Sequence, residues 1–229
     1  MRGVTAKVET LFEENKQFSV INGKKSYKVR QIAIQKRVAY DFFKRAFDMT
    51  ASTIASILVL IPSLIIAVLV VIDSPGPAIF KQERLGKNGK PFILYKFRTM
   101  RLDAEHNGAR WAKKNDERCT RVGRILRVMR LDELPQLVNI IKGDMSIVGP
   151  RPERACFYEE FETYIEGFSQ RLLVTPGLTG LAQVNGGYDL KPEEKIIYDL
   201  EYIETCSLWL DLKIIFKTIL VVFGRKGAR

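Results

Sequence analysis

Ile57-Leu-Val-Leu-Ile-Pro-Ser-Leu-Ile-Ile-Ala-Val-Leu-Val-Val-Ile72 lies within a longer stretch, Met49 to Ile72, that contains no charged residue. That length suits a helix buried in a bilayer, which needs about 20 residues. It starts too far along the chain for a signal peptide and no small-residue cleavage site follows, so it is expected to stay in the mature protein. Pro62 falls near its middle, where it removes a backbone donor and crowds the preceding turn, and Ser63 offers a hydroxyl to a freed carbonyl. Basic residues flank both ends, Lys36, Arg37, Lys44 and Arg45 before and Lys81, Arg84, Lys87 and Lys90 after. The positive-inside bias therefore holds both flanks in the cytoplasm. A helix broken at Pro62 and Ser63 that returns to its side of entry satisfies both features; a proline-kinked helix that crosses is the alternative. Each half, at ~1.5 Å per residue, reaches only about 18 Å into a hydrocarbon core of about 30 Å.

Working outward, Leu208 to Phe223 is a second apolar stretch, but Asp211, Lys213 and Lys217 interrupt it and Arg225 and Lys226 follow. It is too short and too charged to span. It reads as a helix lying in the interface, apolar face down, or as an ordinary amphipathic helix packed on a core. Phe18 to Val29 suggests a hairpin turning at Asn22-Gly23. Ala78 to Met100 reads as short strands, of which Phe92 to Phe97 is the clearest. From Thr120 the period becomes helical: Val122, Ile125, Leu126 and Met129 form one apolar stripe, and Leu134, Leu137, Val138 and Ile141 form another that Gly143 ends. The expected fold is α+β and mostly helical, a monotopic membrane protein with a re-entrant broken helix, interfacial amphipathic helices and a small cytoplasmic catalytic domain. Its parts are a basic N-terminal extension over 1–40, the re-entrant helix over 41–77, and the catalytic domain over 78–229 with the C-terminal interfacial helix.

The chain of 229 residues carries a formal charge of +11. Its partners are therefore expected to be anionic, phospholipid, nucleotide or nucleic acid. Three well-separated cysteines, Cys119, Cys156 and Cys206, and the single His106 point to reduced thiols with neither a zinc site nor a disulfide framework.

Asp132 and Glu133 sit beside Arg121, Arg124, Arg127 and Arg130, with Asp132 at the expected N-cap of the second helix and Pro135 in its first turn. Helix dipole and arginines both favour ionised carboxylates there. An ionised aspartate can attack phosphorus, and its neighbour can bind a divalent cation or move a proton. The pair standing alone reads equally as an acidic helix cap. Gly149-Pro-Arg-Pro152 fixes the backbone around Arg151 and presents one guanidinium from a stiff loop, suited to bidentate contact with phosphate or to pairing with a nearby acid.

Lys96-Phe-Arg-Thr-Met100, Asn115-Asp-Glu-Arg118, Thr120-Arg-Val-Gly-Arg124, Leu131-Asp-Glu-Leu-Pro-Gln-Leu137, Lys142-Gly-Asp-Met-Ser146, Gly149-Pro-Arg-Pro152 and Pro176-Gly-Leu-Thr-Gly180 occur in this order. Together they resemble the bacterial sugar transferase family, the monotopic phosphoglycosyl transferases that start glycan assembly on polyprenyl phosphate. The resemblance runs from about Lys44 to Phe223. It implies transfer of a sugar-1-phosphate from a UDP-sugar to polyprenyl phosphate with release of UMP, at the cytoplasmic face of the bacterial inner membrane. It implies a covalent phosphosugar on Asp132 and Mg2+ at Asp132 and Glu133, with Glu133 assisting proton removal. Arg151, Arg127, Lys96 and Arg98 are implied as phosphate and nucleotide contacts, and Asp199 and Asp211 as supporting acids. A homodimer is open and nucleic acid is not expected as a partner.

Arg130 stands where a small residue often occurs in that family, and Leu181 where an aromatic is frequent. The transmembrane bundle and nucleotide-binding-like module of longer members are absent from this sequence, which therefore reads as a minimal version. One apolar span excludes a polytopic transferase, and the lack of Asp-x-Asp argues against a metal-dependent glycosyltransferase. A basic membrane adaptor or nucleic-acid binder explains the charge but not two adjacent acids in the most arginine-rich stretch.

Overall fold

The computed structural model describes residues 17–21, 24–33, 37–106, 108, 116–186 and 190–223. The Asn22-Gly23 turn, Lys36, Asn115, Arg225 and Lys226 lie outside the described residues. The apolar stretch forms two helices, α1 (Val38–Leu58) and α2 (Leu60–Asp73), which meet at Val59 with a bend of 62°. The break expected at Pro62 and Ser63 thus lies upstream of them. Pro62 cannot donate to the Leu58 carbonyl and its ring crowds that oxygen, so the hydrogen-bond ladder fails before the proline is reached. Pro62 itself falls in the first turn of α2, where no intrahelical donor is required. Ser63 meets the break through its amide, which donates to the Val59 carbonyl at 2.8 Å. Among the described residues no single helix is long and apolar enough to cross a membrane, whereas α1 and α2 together pass by length and composition. Around the bend Ile57, Leu58, Leu60, Ile61, Leu64 and Ile65 are all more than half exposed.

Both ends of this hairpin are tied to one body of protein. On α1, Arg45 donates to the carbonyls of Ile140 at 2.6 Å and Ile141 at 2.7 Å, and Asp48 accepts the Ile147 amide at 3.1 Å. Lys44 pairs with Asp211 at 2.8 Å. On α2, Ile66 and Val70 pack against Phe97 and Leu126. Arg98 donates to the carbonyls of Ser74 and, at 3.0 Å, Pro75.

Among the described residues the strands form three small sheets. β1 (Gln17–Ile21) and β2 (Lys24–Lys28) are antiparallel, and β2 pairs in parallel with β6 (Ile165–Glu166). β3 (Ile79–Leu85) and β4 (Pro91–Phe97) make an antiparallel hairpin, and β5 (Ser146–Val148) runs parallel to β7 (Gly177–Thr179). The remaining helices are α3 (Arg121–Val128), α4 (Gln136–Lys142), α5 (Ala155–Glu162), α6 (Leu181–Gly186), α7 (Pro192–Thr205) and α8 (Leu208–Phe223). The largest core gathers Phe161, Phe168, Ile196, Tyr202 and Ile214 from α5, α7, α8 and the 3-10 stretch Phe168–Leu173. α8 buries Asp211 and Ile214 and leaves Trp209, Leu212, Phe216, Ile219 and Leu220 exposed. The architecture is mixed and mostly helical, in agreement with the α+β reading.

Candidate active site

The site begins where α3 meets the body. The Thr120 hydroxyl accepts the Gly123 amide at 3.0 Å, and Asp73, the last residue of α2, accepts the Val122 amide at 2.9 Å. Two of the four orphan donors at the start of α3 are thereby satisfied. Gly123 is needed for contact rather than conformation: a Cβ there would stand 2.1 Å from the Thr99 carbonyl oxygen. After α3 the chain turns through Arg130, which adopts a left-handed φ of 59°. For a residue other than glycine that conformation costs roughly 1–2 kcal/mol.

Arg130 leads into a single 3-10 turn, Leu131–Glu133, and only then into α4, capped by Pro135 and ended by Gly143 at φ 93°. Asp132 was expected at the N-cap of this helix; it lies one turn upstream. Pro135 is the reason, because its preset φ suits the entry to α4 and the short turn before it. Both carboxylates are consequently drawn inward, with Asp132 8% and Glu133 9% exposed.

The turn feeds a cleft of about 70 Å³ that Lys96, Arg127, Asp132, Glu133 and Arg151 all line. Arg151 grips Glu133 with its fork, Nη2 to Oε1 at 2.6 Å and Nη1 to Oε2 at 3.3 Å. Burial pushes the Glu133 carboxyl up, but Arg151 and Arg130 overcome it and hold it below the usual range. Asp132 goes the other way. Burial and the Glu133 charge push it up to about 6, against the opposing pull of Lys96, Arg127 and Arg151. The arginines pull toward the ionised form, as expected, but at Asp132 desolvation and the Glu133 charge outweigh them. The consequence is a division of labour, since a carboxylate with a raised pKa is the better electron-pair donor and a depressed one is a poor proton acceptor. Lys96 is lowered to about 8 by burial and Arg84, and stays largely protonated at neutral pH.

Arg151 owes its place to backbone packed on backbone. Gly149 and Gly177 abut so closely that a Cβ on Gly177 would lie 2.1 Å from the Gly149 amide nitrogen, which accounts for the glycines of both blocks. Behind them Arg171 donates to the Arg151 carbonyl at 2.9 Å and to Asp199 at 2.6 Å. Asp199 thus buttresses the Arg151 loop from outside the cleft. Asp211 lies elsewhere. It accepts from Tyr40 at 3.0 Å, Lys44 at 2.8 Å and Tyr202 at 2.8 Å, fastening α8 to α1 and α7.

Arg98, expected as a nucleotide contact, is not among the residues lining the cleft. It is 3% exposed and its guanidinium clasps the Ser74–Pro75 loop after α2; its neighbour Lys96, two residues earlier on the strand, lines the cleft instead. The sequence reading did not single out two lining residues. Arg84, on β3, pairs with Glu153 at 3.1 Å and was taken only as a basic flank. Gln136 is 1% exposed with both amide atoms unpartnered, and only its place in the Leu131–Leu137 block hinted at it. A buried amide with no partner is costly and marks the cleft as built for a polar guest. A larger cavity, about 560 Å³, is bordered by Arg37, Tyr40 and Lys44 and contains neither carboxylate of the pair.

No cluster of three histidine, cysteine or acidic side chains spaced for a metal occurs among the described residues. Magnesium needs less, since it takes one or two carboxylates and completes its shell with phosphate oxygens and water. Asp132 and Glu133 bring adjacent carboxylates to the cleft that Lys96, Arg127 and Arg151 also line. The pair therefore fits that ion together with a diphosphate.

Fold and cleft define a mixed α/β protein with a bent apolar hairpin and paired carboxylates set among cations. The chain belongs to the bacterial sugar transferase family, whose profile matches residues 39–225. It is 45% identical over 193 residues to the UDP-N-acetylgalactosamine-undecaprenyl-phosphate N-acetylgalactosaminephosphotransferase of Aeromonas hydrophila, covering 83% of this chain and 46% of that one. It is 43% identical to two proteins named UDP-glucose:undecaprenyl-phosphate glucose-1-phosphate transferase. The match covers 81% of this chain and 41% of the relative in Escherichia coli K12, and 80% and 70% in Caulobacter vibrioides. The chain spans less than half the length of the first two relatives.

Proposed function

We propose that this protein transfers a sugar-1-phosphate from a UDP-sugar to polyprenyl phosphate, releasing UMP, from a seat on the cytoplasmic face of the bacterial cell membrane. The observation that carries this reading is a pair of adjacent buried carboxylates facing Lys96, Arg127 and Arg151 in one cleft, within a member of the sugar transferase family. A carboxylate oxygen of Asp132 attacks the phosphorus that bears the sugar. An Asp132–phosphorus bond forms, the bond between the two phosphates breaks, and UMP leaves with its electron pair. An oxygen of polyprenyl phosphate then attacks the same phosphorus, forming the lipid diphosphate-sugar and returning Asp132 to a free carboxylate. Both steps exchange one phosphoric anhydride-like bond for another, so neither needs a large net driving force.

Lys96, Arg127 and Arg151 bind and neutralise the diphosphate, whose charge would otherwise repel the attacking carboxylate. Glu133, held by Arg151 and kept ionised, fixes that guanidinium against the substrate. Magnesium, when bound by Asp132 and Glu133, supplies further charge neutralisation on the phosphate oxygens. The bend between α1 and α2, the more than half exposed apolar side chains around it and the apolar face of α8 support a re-entrant seat in one leaflet, with α8 lying in the interface.

The test is the first half-reaction. With UDP-sugar and no lipid, the parent should release up to one UMP per enzyme and leave label on the peptide containing Asp132, and steady-state kinetics should be ping-pong. Asp132→Asn should abolish the burst. A ternary-complex rate pattern with no labelled peptide would overturn the covalent route. A panel of UDP-sugars in the same assay identifies the donor.

A further inference from the structure

A groove of about 250 Å³ opens beside the cleft. Arg130 and Glu133 line the cleft as well, so the two spaces adjoin at the end these two residues mark. Beyond that end the wall is hydrocarbon: Leu137 of α4, Leu178 of β7, Val184 of α6, and Ile215 and Ile219 of α8. Its polar side-chain atoms beyond that end are engaged, apart from Gln183 Oε1, which is buried without a partner. Thr179 and Thr218 bond each other, Oγ1 to Oγ1 at 2.7 Å, and the Gln183 amide nitrogen donates to the Leu178 carbonyl at 2.9 Å. The outer bank, α8, continues to Phe216 and Leu220, which are 63% and 57% exposed.

We propose that this groove holds the first isoprene units of the polyprenyl phosphate, with the lipid phosphate at the Arg130 end. The proposal rests on the function assigned above to the cleft. A slot that is apolar along its length and adjoins, at its Arg130 and Glu133 end, a cleft lined by Lys96, Arg127 and Arg151 matches an amphiphile with a single anionic head and a branched hydrocarbon tail. A sugar or nucleoside laid there would leave its hydroxyls against Leu178 and Ile215 without partners, at a cost. Water in the same place would wet a wall of leucine, isoleucine and valine that is more stable covered. The wall shared with the cleft then selects the lipid substrate over a bystander phospholipid, because only a ligand whose phosphate reaches the cleft gains from both ends.

Binding can be read without turnover. The full chain in phospholipid vesicles is photolabelled with a polyprenyl phosphate carrying a diazirine on its second isoprene unit. Label is expected on the segments 178–184 and 215–222, displaced by plain polyprenyl phosphate and not by excess phosphatidylglycerol. Val184→Trp and Ile219→Trp should each weaken labelling, and raise the KM for the lipid, by about tenfold, as for the loss of roughly two buried methylenes. Ile125→Trp, exposed on α3 outside the groove, should change neither. If one variant fails to fold, the unaltered chain still decides: isoprenyl phosphates of one, two and three units should compete with increasing strength. Equal potency across that series, label on other segments, or labelling unmoved in both folded variants overturns the groove. Specific labelling in a parent that releases no UMP from any UDP-sugar supports the groove and sinks the transferase reading instead.

Discussion

The fork of Arg151 on Glu133 is the contact on which the cleft turns. A lysine there supplies the charge but not two parallel donors. Arg151→Lys should lower turnover by roughly 10- to 100-fold, the worth of one charge-assisted hydrogen bond at about 1.5–3 kcal/mol, while membrane association and the melting temperature stay near those of the parent. Activity within a factor of two would remove the bidentate role. The pair behind it makes a different demand. Arg171 and Asp199 are each 2% exposed, and deleting one strands the other as a buried charge. Asp199→Ala should destabilise by about 3–5 kcal/mol in denaturant titration, and joint replacement of Arg171 and Asp199 by apolar residues should cost less than that single change. Single residues were unevenly legible. Asp132, Glu133 and Arg151 stand out by chemistry and spacing, whereas the opposite drift of the two carboxyls depends on burial, which neighbours in sequence share and neighbours in space decide. Arg98 and Lys96 lie in one short motif two residues apart, and nothing in it tells which is turned to the cleft and which to the Ser74–Pro75 loop.

Among elements, the junction of α1 with α4 matters most, since α4 follows directly on the turn bearing both carboxylates. Arg45 covers two of the last carbonyls of α4, where a cation is also favoured by the helix dipole. Arg45→Gln should cost about 1.5–3 kcal/mol, seen as a lower melting temperature, and should reduce kcat more than the KM for UDP-sugar. The start of α3 offers a paired test: Asp73→Ala and Thr120→Ala each remove one cap and should each cost about 1 kcal/mol. Element types were well signalled, from the β3–β4 hairpin to the helix ended by Gly143, because each rests on a local period or a turn residue. Boundaries were not. The bend moved from Pro62 to Val59, and the start of α4 moved past Asp132, each time because a proline acts on the chain before it rather than at its own position. The parallel pairing of β5 with β7 had no local signal; only the glycines at 149 and 177, unexplained until their backbones meet, hinted at it.

At the scale of the whole molecule, the two legs of the hairpin reach the same body of protein, α1 through Lys44, Arg45 and Asp48 and α2 through its contacts with Phe97 and Leu126. Both flanks should therefore face the cytoplasm. In a background with Cys119, Cys156 and Cys206 replaced by serine, cysteines placed at Asp41 and Lys87 should react with a membrane-impermeant maleimide only after the cells are opened; reaction in intact spheroplasts at either position would show a crossing helix. Length and composition made the bent apolar pair legible in the sequence, while its fastening by Arg45 and Arg98 was not, since those contacts join residues distant along the chain. Those two fastenings have a kinetic corollary. On the proposed seat, a hairpin held at both ends would set the carboxylates at a constant height above one leaflet, so that the lipid would be met by lateral diffusion in a plane and the nucleotide-sugar by diffusion from bulk water. Diluting the polyprenyl phosphate with inert phospholipid, at constant total amounts in the tube, should slow the second half-reaction in proportion to surface density and leave the UMP burst untouched.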